Sequence, residues 1–208
     1  FEISEQFDTP VMLRTTTRIS HAKGVVEQRE KIAQKIGPWV KDVPKYVMLP
    51  NYGKIKHVEI EARLLKLAEF AESTPLNRIE MGDTSLGIIT SGVAYQHVKE
   101  AYPNASILKL GLVHPLPERK IREFADKVGR LMIVEELDAI FEEQIRAKGI
   151  RVDIGKDKIS FCGEVNADII RTAAGDTPLE SAPPVAGLPQ RPPIFCPGCA
   201  HRGLFSIL

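Results

Sequence analysis

Apolar and polar positions follow two rhythms along this chain. From residue 86 onward, short apolar runs take turns with stretches whose apolar residues recur every three or four positions. Leu86-Gly-Ile-Ile-Thr90, the run over 106–113 and Leu131-Met-Ile-Val134 predict buried strands, with further short strands at 150–154 and 158–161. Between them the spacing predicts helices over 93–102, stopped by Pro103-Asn104, and after Pro117, carrying Ile121, Phe124, Ala125 and Val128 inward. A third is predicted to be capped by Asp138 and ended by Gly149, and a fourth, over 167–174, by Asn166 and Gly175. Strands alternating with helices in this way imply an α/β fold whose mostly parallel sheet is covered on both faces.

The first third lacks that regularity. Pro10-Val-Met-Leu-Arg-Thr-Thr-Thr-Arg-Ile-Ser-His21 opens as an apolar, β-favouring stretch and turns polar, the pattern of a strand that surfaces. A short helical pattern over 26–36 is broken by Gly37-Pro38. The clearest helix follows the turn-like Leu49-Pro-Asn-Tyr-Gly53: over 57–71, Ile60, Leu64, Leu67, Ala68 and Ala71 share one face, and Ser73-Thr-Pro75 ends it. Residues 177–193 hold six of the fifteen prolines with no apolar period, which reads as a linker.

Composition narrows the class. Apolar residues make up 43% and charged residues 26%, as in ordinary globular proteins. With 28 basic against 27 acidic side chains and a net charge of +1, there is no electrostatic footprint for nucleic acid. No apolar run approaches the roughly 18 residues of a membrane span. Three cysteines form no secreted disulfide framework and point to a reducing cytoplasm.

Several constellations are chemically capable. The densest is Arg191-Pro-Pro-Ile-Phe-Cys-Pro-Gly-Cys-Ala-His-Arg202, in which Cys196 and Cys199 are spaced to share a metal or cluster, with His201 beside them. Two thiols are not a complete ligand set, and Cys162 lies inside the expected sheet region. A thioredoxin-like reading needs a strand before the pair, where Pro192-Pro193 stands. Ser91-Gly92, at a strand-to-helix turn, could cradle a phosphate, and Glu135-Glu136 stand at a strand's C-terminal end, where α/β sheets place ligand groups. Full dinucleotide and P-loop fingerprints are absent, and adjacent strand residues face opposite ways, so the two glutamates are no acid–base pair. Arg14, Thr15, Thr16, Thr17, Arg18, Ser20 and His21 could hold an anion or form a solvated strand end, while His57, His97 and His114 are scattered.

Taken together, the blocks at 10–21, Asn77-Arg-Ile-Glu80, Leu86-Gly-Ile-Ile-Thr-Ser-Gly92, Val113-His-Pro-Leu-Pro117, Val134-Glu-Glu136 and Arg191-Pro-Pro-Ile-Phe-Cys-Pro-Gly-Cys-Ala-His-Arg202 resemble the alpha subunit of indolepyruvate:ferredoxin oxidoreductase. These are thiamine diphosphate enzymes of the 2-oxoacid:ferredoxin oxidoreductase superfamily. The resemblance implies that residues 1–37 are the tail of a pyrimidine-binding domain and 38–75 a linker with an amphipathic helix. It implies that 76–189 form a domain like the transketolase C-terminal domain, and that 190–208 begin the diphosphate-binding domain. The fold it implies is a three-layer α/β/α sandwich around a mixed five-stranded sheet.

A chain that opens on Phe1 and stops five residues after Gly203 then reads as an excised piece. The parent is expected to decarboxylate arylpyruvates such as indolepyruvate oxidatively to aryl-acetyl-coenzyme A, passing electrons to ferredoxin. Its cofactors would be thiamine diphosphate, Mg²⁺ and 4Fe-4S iron–sulfur clusters, and its partner a beta subunit. Gly198, Cys199 and His201 would touch the cofactor in the full-length protein; Ala200 departs from the proline of the family motif. For the fragment itself, no catalytic residue, no metal ligand and no bound cofactor are expected: it reads as an inactive scaffold or interface domain. The alternative is a free-standing module binding coenzyme A or a nucleotide at the strand ends near Ser91 and Glu135.

Overall fold

A computed structural model describes residues 1–28, 30–31, 37–179, 185–189, 195 and 198–207. Three short helices come first, α1 (Glu2–Phe7), α2 (Thr17–His21) and α3 (Val43–Tyr46), then the long α4 (Pro50–Ser73). The remainder runs β1 (Arg78–Glu80), β2 (Asp83–Ser91), α5 (Ala94–Ala101), β3 (Ala105–Leu110), α6 (Glu118–Ala125), β4 (Arg130–Val134), α7 (Ile140–Ala147), α8 (Ala167–Ala174) and α9 (Ala200–Ile207).

The four strands form one sheet in the order β1-β3-β2-β4, with β2 parallel to both β3 and β4 and β1 antiparallel at the edge. Strand side chains alternate between faces, and the two cores follow that alternation. Ile88, Ile107, Met132 and Val134 pack under α5 and α8, whereas Ile89, Leu108, Leu131 and Ile133 pack under α6 and α7. Both faces are therefore apolar, which is why these strands read as continuous apolar runs.

The structure differs from the predicted five strands. β1 was not anticipated: three residues, two of them charged, carry no periodic signal. At 150–154 a single parallel bridge, Met132 to Ile154, replaces a strand, because the Asp153 carboxylate takes the Leu131 amide at 2.7 Å. Residues 158–161 form turns and bends.

The cap predictions divide similarly. Asn166 accepts from the Ile169 amide at 2.9 Å, and Gly149 and Gly175 take the left-handed φ of helix terminators, +72° and +94°. Asp138 does not cap α7; a distant side chain does.

α4 begins at Pro50, seven residues earlier than its periodicity predicts, because proline suits a first helical turn. Its burial is confined to the last turns, at Leu67 and Ala71, while Ile60 is 43% exposed. Asn77 fastens that end: its Nδ2 donates to the Ala71 carbonyl, and its Oδ1 accepts from the amides of Gly111 and Leu112. A Cβ at Gly111 would lie 2.6 Å from the Leu76 carbonyl oxygen, so this stitch needs glycine.

The strand expected at 10–21 is absent. Residues 10–16 are irregular and α2 follows, since no neighbouring strand pairs with that backbone. α1 instead rests on α4: the Phe7 and Phe70 rings are 5.1 Å apart, and Asp8 meets Lys45 at 2.6 Å and Arg63 at 3.7 Å. The helix predicted over 26–36 falls largely outside the described residues. Among those described, no helix is long and apolar enough to cross a membrane.

Candidate functional site

The order of the strands marks one place for ligand groups. β2 leads into α5 on one face and β4 leads into α7 on the other, so their C-terminal ends border a topological switch point. Ser91-Gly92 and Glu135-Glu136-Leu137 meet there, with positive φ at Gly92 (+55°) and at Leu137 (+61°).

Glu135 is 5% exposed and spends both carboxylate oxygens on α7, accepting from the amides of Phe141 at 2.8 Å and Glu142 at 3.0 Å. α7 has no local side-chain cap, so this carboxylate satisfies donors its helix would leave unpaired. Burial pushes the Glu135 carboxyl above its ordinary value, while the two amides and the Lys156 charge pull the other way. The expectation of a ligand group at Glu135 is thereby corrected: its lone pairs face the helix. Glu136 stays half-buried beside it.

Two residues that sequence reasoning missed complete this cluster. Glu142, 8% exposed, accepts from the Lys156 amide at 2.6 Å and from Arg146 Nε at 2.9 Å. Lys156, also 8% exposed, donates to the Ser160 carbonyl and lies over the Phe161 ring. Burial lowers the Lys156 pKa; Glu135 and Glu142 oppose that. A Cβ at Gly155 would fall 2.1 Å from Glu142 Oε2, so Gly155 makes room for the carboxylate. The available signal was Gly155-Lys156 directly after a strand-like run.

α6 is held in the same way. Its first amides, Arg119 and Lys120, each donate at 2.9 Å to Glu72 of α4, and Arg119 also pairs with Glu69. Beside these contacts, α4, α6 and α7 enclose a groove of about 480 Å³ lined by Leu65, Ala68, His114, Ile121 and Ile145.

On the α5 face, a third network surrounds Tyr95. Its hydroxyl accepts from Arg78 at 3.0 Å and donates to Glu80 at 2.7 Å, Lys99 pairs with Glu80 at 3.3 Å, and Lys109 Nζ lies 4.6 Å from the ring centre. Burial of Glu80 opposes its ionisation, but hydrogen bonds from Tyr95, Arg78 and Lys99 outweigh it and hold the carboxyl below its ordinary value.

The C-terminal motif is elsewhere in the chain. Gly198 has φ +80°, Cys199 Sγ lies 3.4 Å from His201 Nδ1 at the start of α9, and the Phe195 ring stacks near His201 and Phe205. Cys196 lies outside the described residues. Cys162 and Cys199 are free thiols, and among the described residues no three His, Cys, Asp or Glu side chains converge as metal ligands. In the 14–21 cluster the Thr15 and Ser20 hydroxyls are 3.1 Å apart; His57 faces Glu61 on an exposed turn of α4, and His97 is half-buried on α5.

No family model matches the chain. It is similar to indolepyruvate oxidoreductase subunit IorA of Methanothermobacter marburgensis, 34% identical over 99% of this chain and 36% of that protein. The same subunit of Archaeoglobus fulgidus is 35% identical over 99% and 36%, and that of Pyrococcus abyssi 35% over 100% and 37%. The chain thus spans little more than a third of the length of these relatives. Among solved structures, 2-oxoglutarate:ferredoxin oxidoreductase from Magnetococcus marinus, with 2-oxoglutarate, coenzyme A and succinyl-CoA bound, aligns with 61% of this chain and 23% of its own at 18% identity and a TM-score of 0.47.

Proposed function

We propose that this chain, whose resemblance to the alpha subunit of indolepyruvate oxidoreductase holds over 99% of its residues, serves as a scaffold segment of such an enzyme. The whole protein would convert arylpyruvates such as indolepyruvate and coenzyme A to aryl-acetyl-coenzyme A and carbon dioxide, reducing ferredoxin. A beta subunit would complete it in the cytoplasm, with thiamine diphosphate, Mg²⁺ and iron–sulfur clusters as cofactors. In this reading residues 1–37 close a pyrimidine-binding domain, 38–75 link it onward, 76–189 form the transketolase-like layer and 190–208 open the diphosphate-binding domain.

The observation that carries the scaffold role is what the buried charges do. Glu135 holds α7, and Glu142 holds the Gly155-Lys156 turn through the Lys156 amide. These groups are spent on architecture, so the chemistry falls to other parts of the protein. Thiamine diphosphate, when bound, supplies the nucleophilic carbon for decarboxylation. Gly198, Cys199 and His201 fit it in part: a left-handed glycine turns the chain into α9, and a thiol and an imidazole stand together at that helix's start. The other contacts would come from outside the described residues.

The test is ferredoxin reduction with indolepyruvate and coenzyme A. An alpha subunit containing these residues, assembled with its beta subunit, is expected to be active, and the 208-residue chain by itself inactive. Turnover by the isolated chain, or an assembled enzyme indifferent to arylpyruvates, would overturn the reading.

A further inference from the structure

We infer that the α5 end of β2, with Lys109 and Arg78, is an oxyanion site suited to a phosphate group, either free phosphate or the phosphate of a small organic ligand. This goes beyond the scaffold reading and does not rest on it. The strand register places the residues. Arg78 pairs with Lys109, Lys109 with Thr90, and Thr90 with Val134, forming one row across the four strands. Ile88, Ile107 and Met132, two residues before Thr90, Lys109 and Val134, belong to the core under α5, so this row lies on the α5 face at the C-terminal ends of the parallel strands.

The electrostatics of the row favour an anion. Arg78 and Lys109 lie over the Tyr95 ring, and Lys99 reaches the group through Glu80, the carboxylate that among the described residues engages both Arg78 and Lys99. Lys109 has no carboxylate partner among the described residues; its ammonium lies over the Tyr95 ring. Four residues beyond Thr90 the chain enters α5, an eight-residue helix with no side-chain cap. Its first-turn amides and positive dipole end suit an oxyanion. The turn between carries Gly92 at φ +55°, and apart from its chain neighbours no heavy atom of the described residues lies within 4 Å of where its Cβ would stand, so that side of the turn is open.

A second observation is independent of the helix end. Thr90 is wholly buried, 0% exposed, on that same face, and among the described residues its Oγ1 has no hydrogen-bond partner. A buried hydroxyl without a partner is costly, and such groups in native proteins call for a reason. An oxyanion seated on the Ser91-Gly92 turn would accept from this hydroxyl while Lys109 supplies the countercharge.

The experiment is amide NMR of the ¹⁵N-labelled full chain, titrated at constant ionic strength with inorganic phosphate and, separately, with AMP. Saturable shifts are expected at Gly92, Val93 and Ala94, and not at Arg119, Lys120, Phe141 or Glu142, whose amides are already taken by carboxylates. Lys109→Gln should weaken binding at least about fivefold, the loss of one charge-assisted contact, and Lys109→Arg should restore it. Thr90→Val should stay folded, melt no lower than the parent and bind phosphate more weakly. Tighter binding of AMP than of phosphate would mark an organic ligand; equal binding would mark free phosphate. Absence of saturable shifts at the Gly92 turn, or parental affinity in both Lys109→Gln and Thr90→Val, would overturn the site.

Discussion

Residues 83–174 and residues 1–49 both carry many large apolar side chains, yet they use them in opposite ways. In the sheet unit Ile88, Leu108, Phe124 and Met132 are fully buried. Before Pro50, none of the described residues is buried, and Met12, Leu13 and Trp39 are 79–90% exposed. The difference is backbone partnership. Each apolar run of the sheet unit finds a ladder neighbour and a covering helix, whereas Val11-Met-Leu13 has β-favouring residues and no strand beside it. A run of apolar residues predicts burial only when its backbone hydrogen bonds have somewhere to go.

The largest effect that would sharpen this contrast comes from truncation. Phe124→Ala should cost about 3–5 kcal/mol, and Met12→Ala less than about 0.5 kcal/mol, in urea unfolding of the full chain. Comparable costs at the two positions would break the comparison.

Next come the two distant carboxylate caps. Glu135→Ala leaves two helix amides unpaired and the buried Lys156 poorly compensated, and should cost about 2–4 kcal/mol. Glu72→Ala, at a half-buried site on α4 that holds the first amides of α6, should cost about 1 kcal/mol. The local cap tested by Asn166→Ala should give a similar value of about 1 kcal/mol, with α8 amides exchanging faster.

The smallest effects are in pH dependence, where two glutamates act with opposite sign. Glu80 has a lowered folded pKa, so its contribution is present above the ordinary value of 4.5 and lost as pH falls through the folded value. Glu135 has a raised folded pKa, so its own contribution is most favourable below 4.5 and is lost as pH climbs through its folded value. Acid titration of thermal stability should therefore show a drop that Glu80→Gln makes smaller, the rest coming from Asp8, Asp83 and Glu118, whose carboxyls are also held below their ordinary values. An unchanged acid limb in that variant would contradict the Tyr95 network.

Sequence patterns reached the elements whose signals are local. Ile121 and Phe124 recur at helical spacing, Asn166 caps where its type and position suggest, and the β2, β3 and β4 runs are apolar because both faces are covered. They failed where a tertiary partner decides. β1 exists because β3 offers it an edge, and Asp153 takes a ladder amide that a fifth strand would have needed. At the site, Ser91-Gly92 and Glu135 were placed correctly at strand ends, but the assignment of Glu135 to α7 depends on amides six and seven residues away. Glu142 and the Arg78-Lys109-Thr90 row join their partners only through folding, and Lys156 is marked in the chain by nothing more than the glycine before it.

The claim that the sheet unit is the folded core, and the first 49 residues an unpartnered flank, is tested most directly by hydrogen–deuterium exchange across the full chain. Amides of Ile88, Leu108 and Ile133 should exchange at the rate set by global unfolding, and those of residues 11–16 within seconds, as expected for backbone without ladder partners. Protection at residues 11–16 matching that of Ile88 would contradict the account.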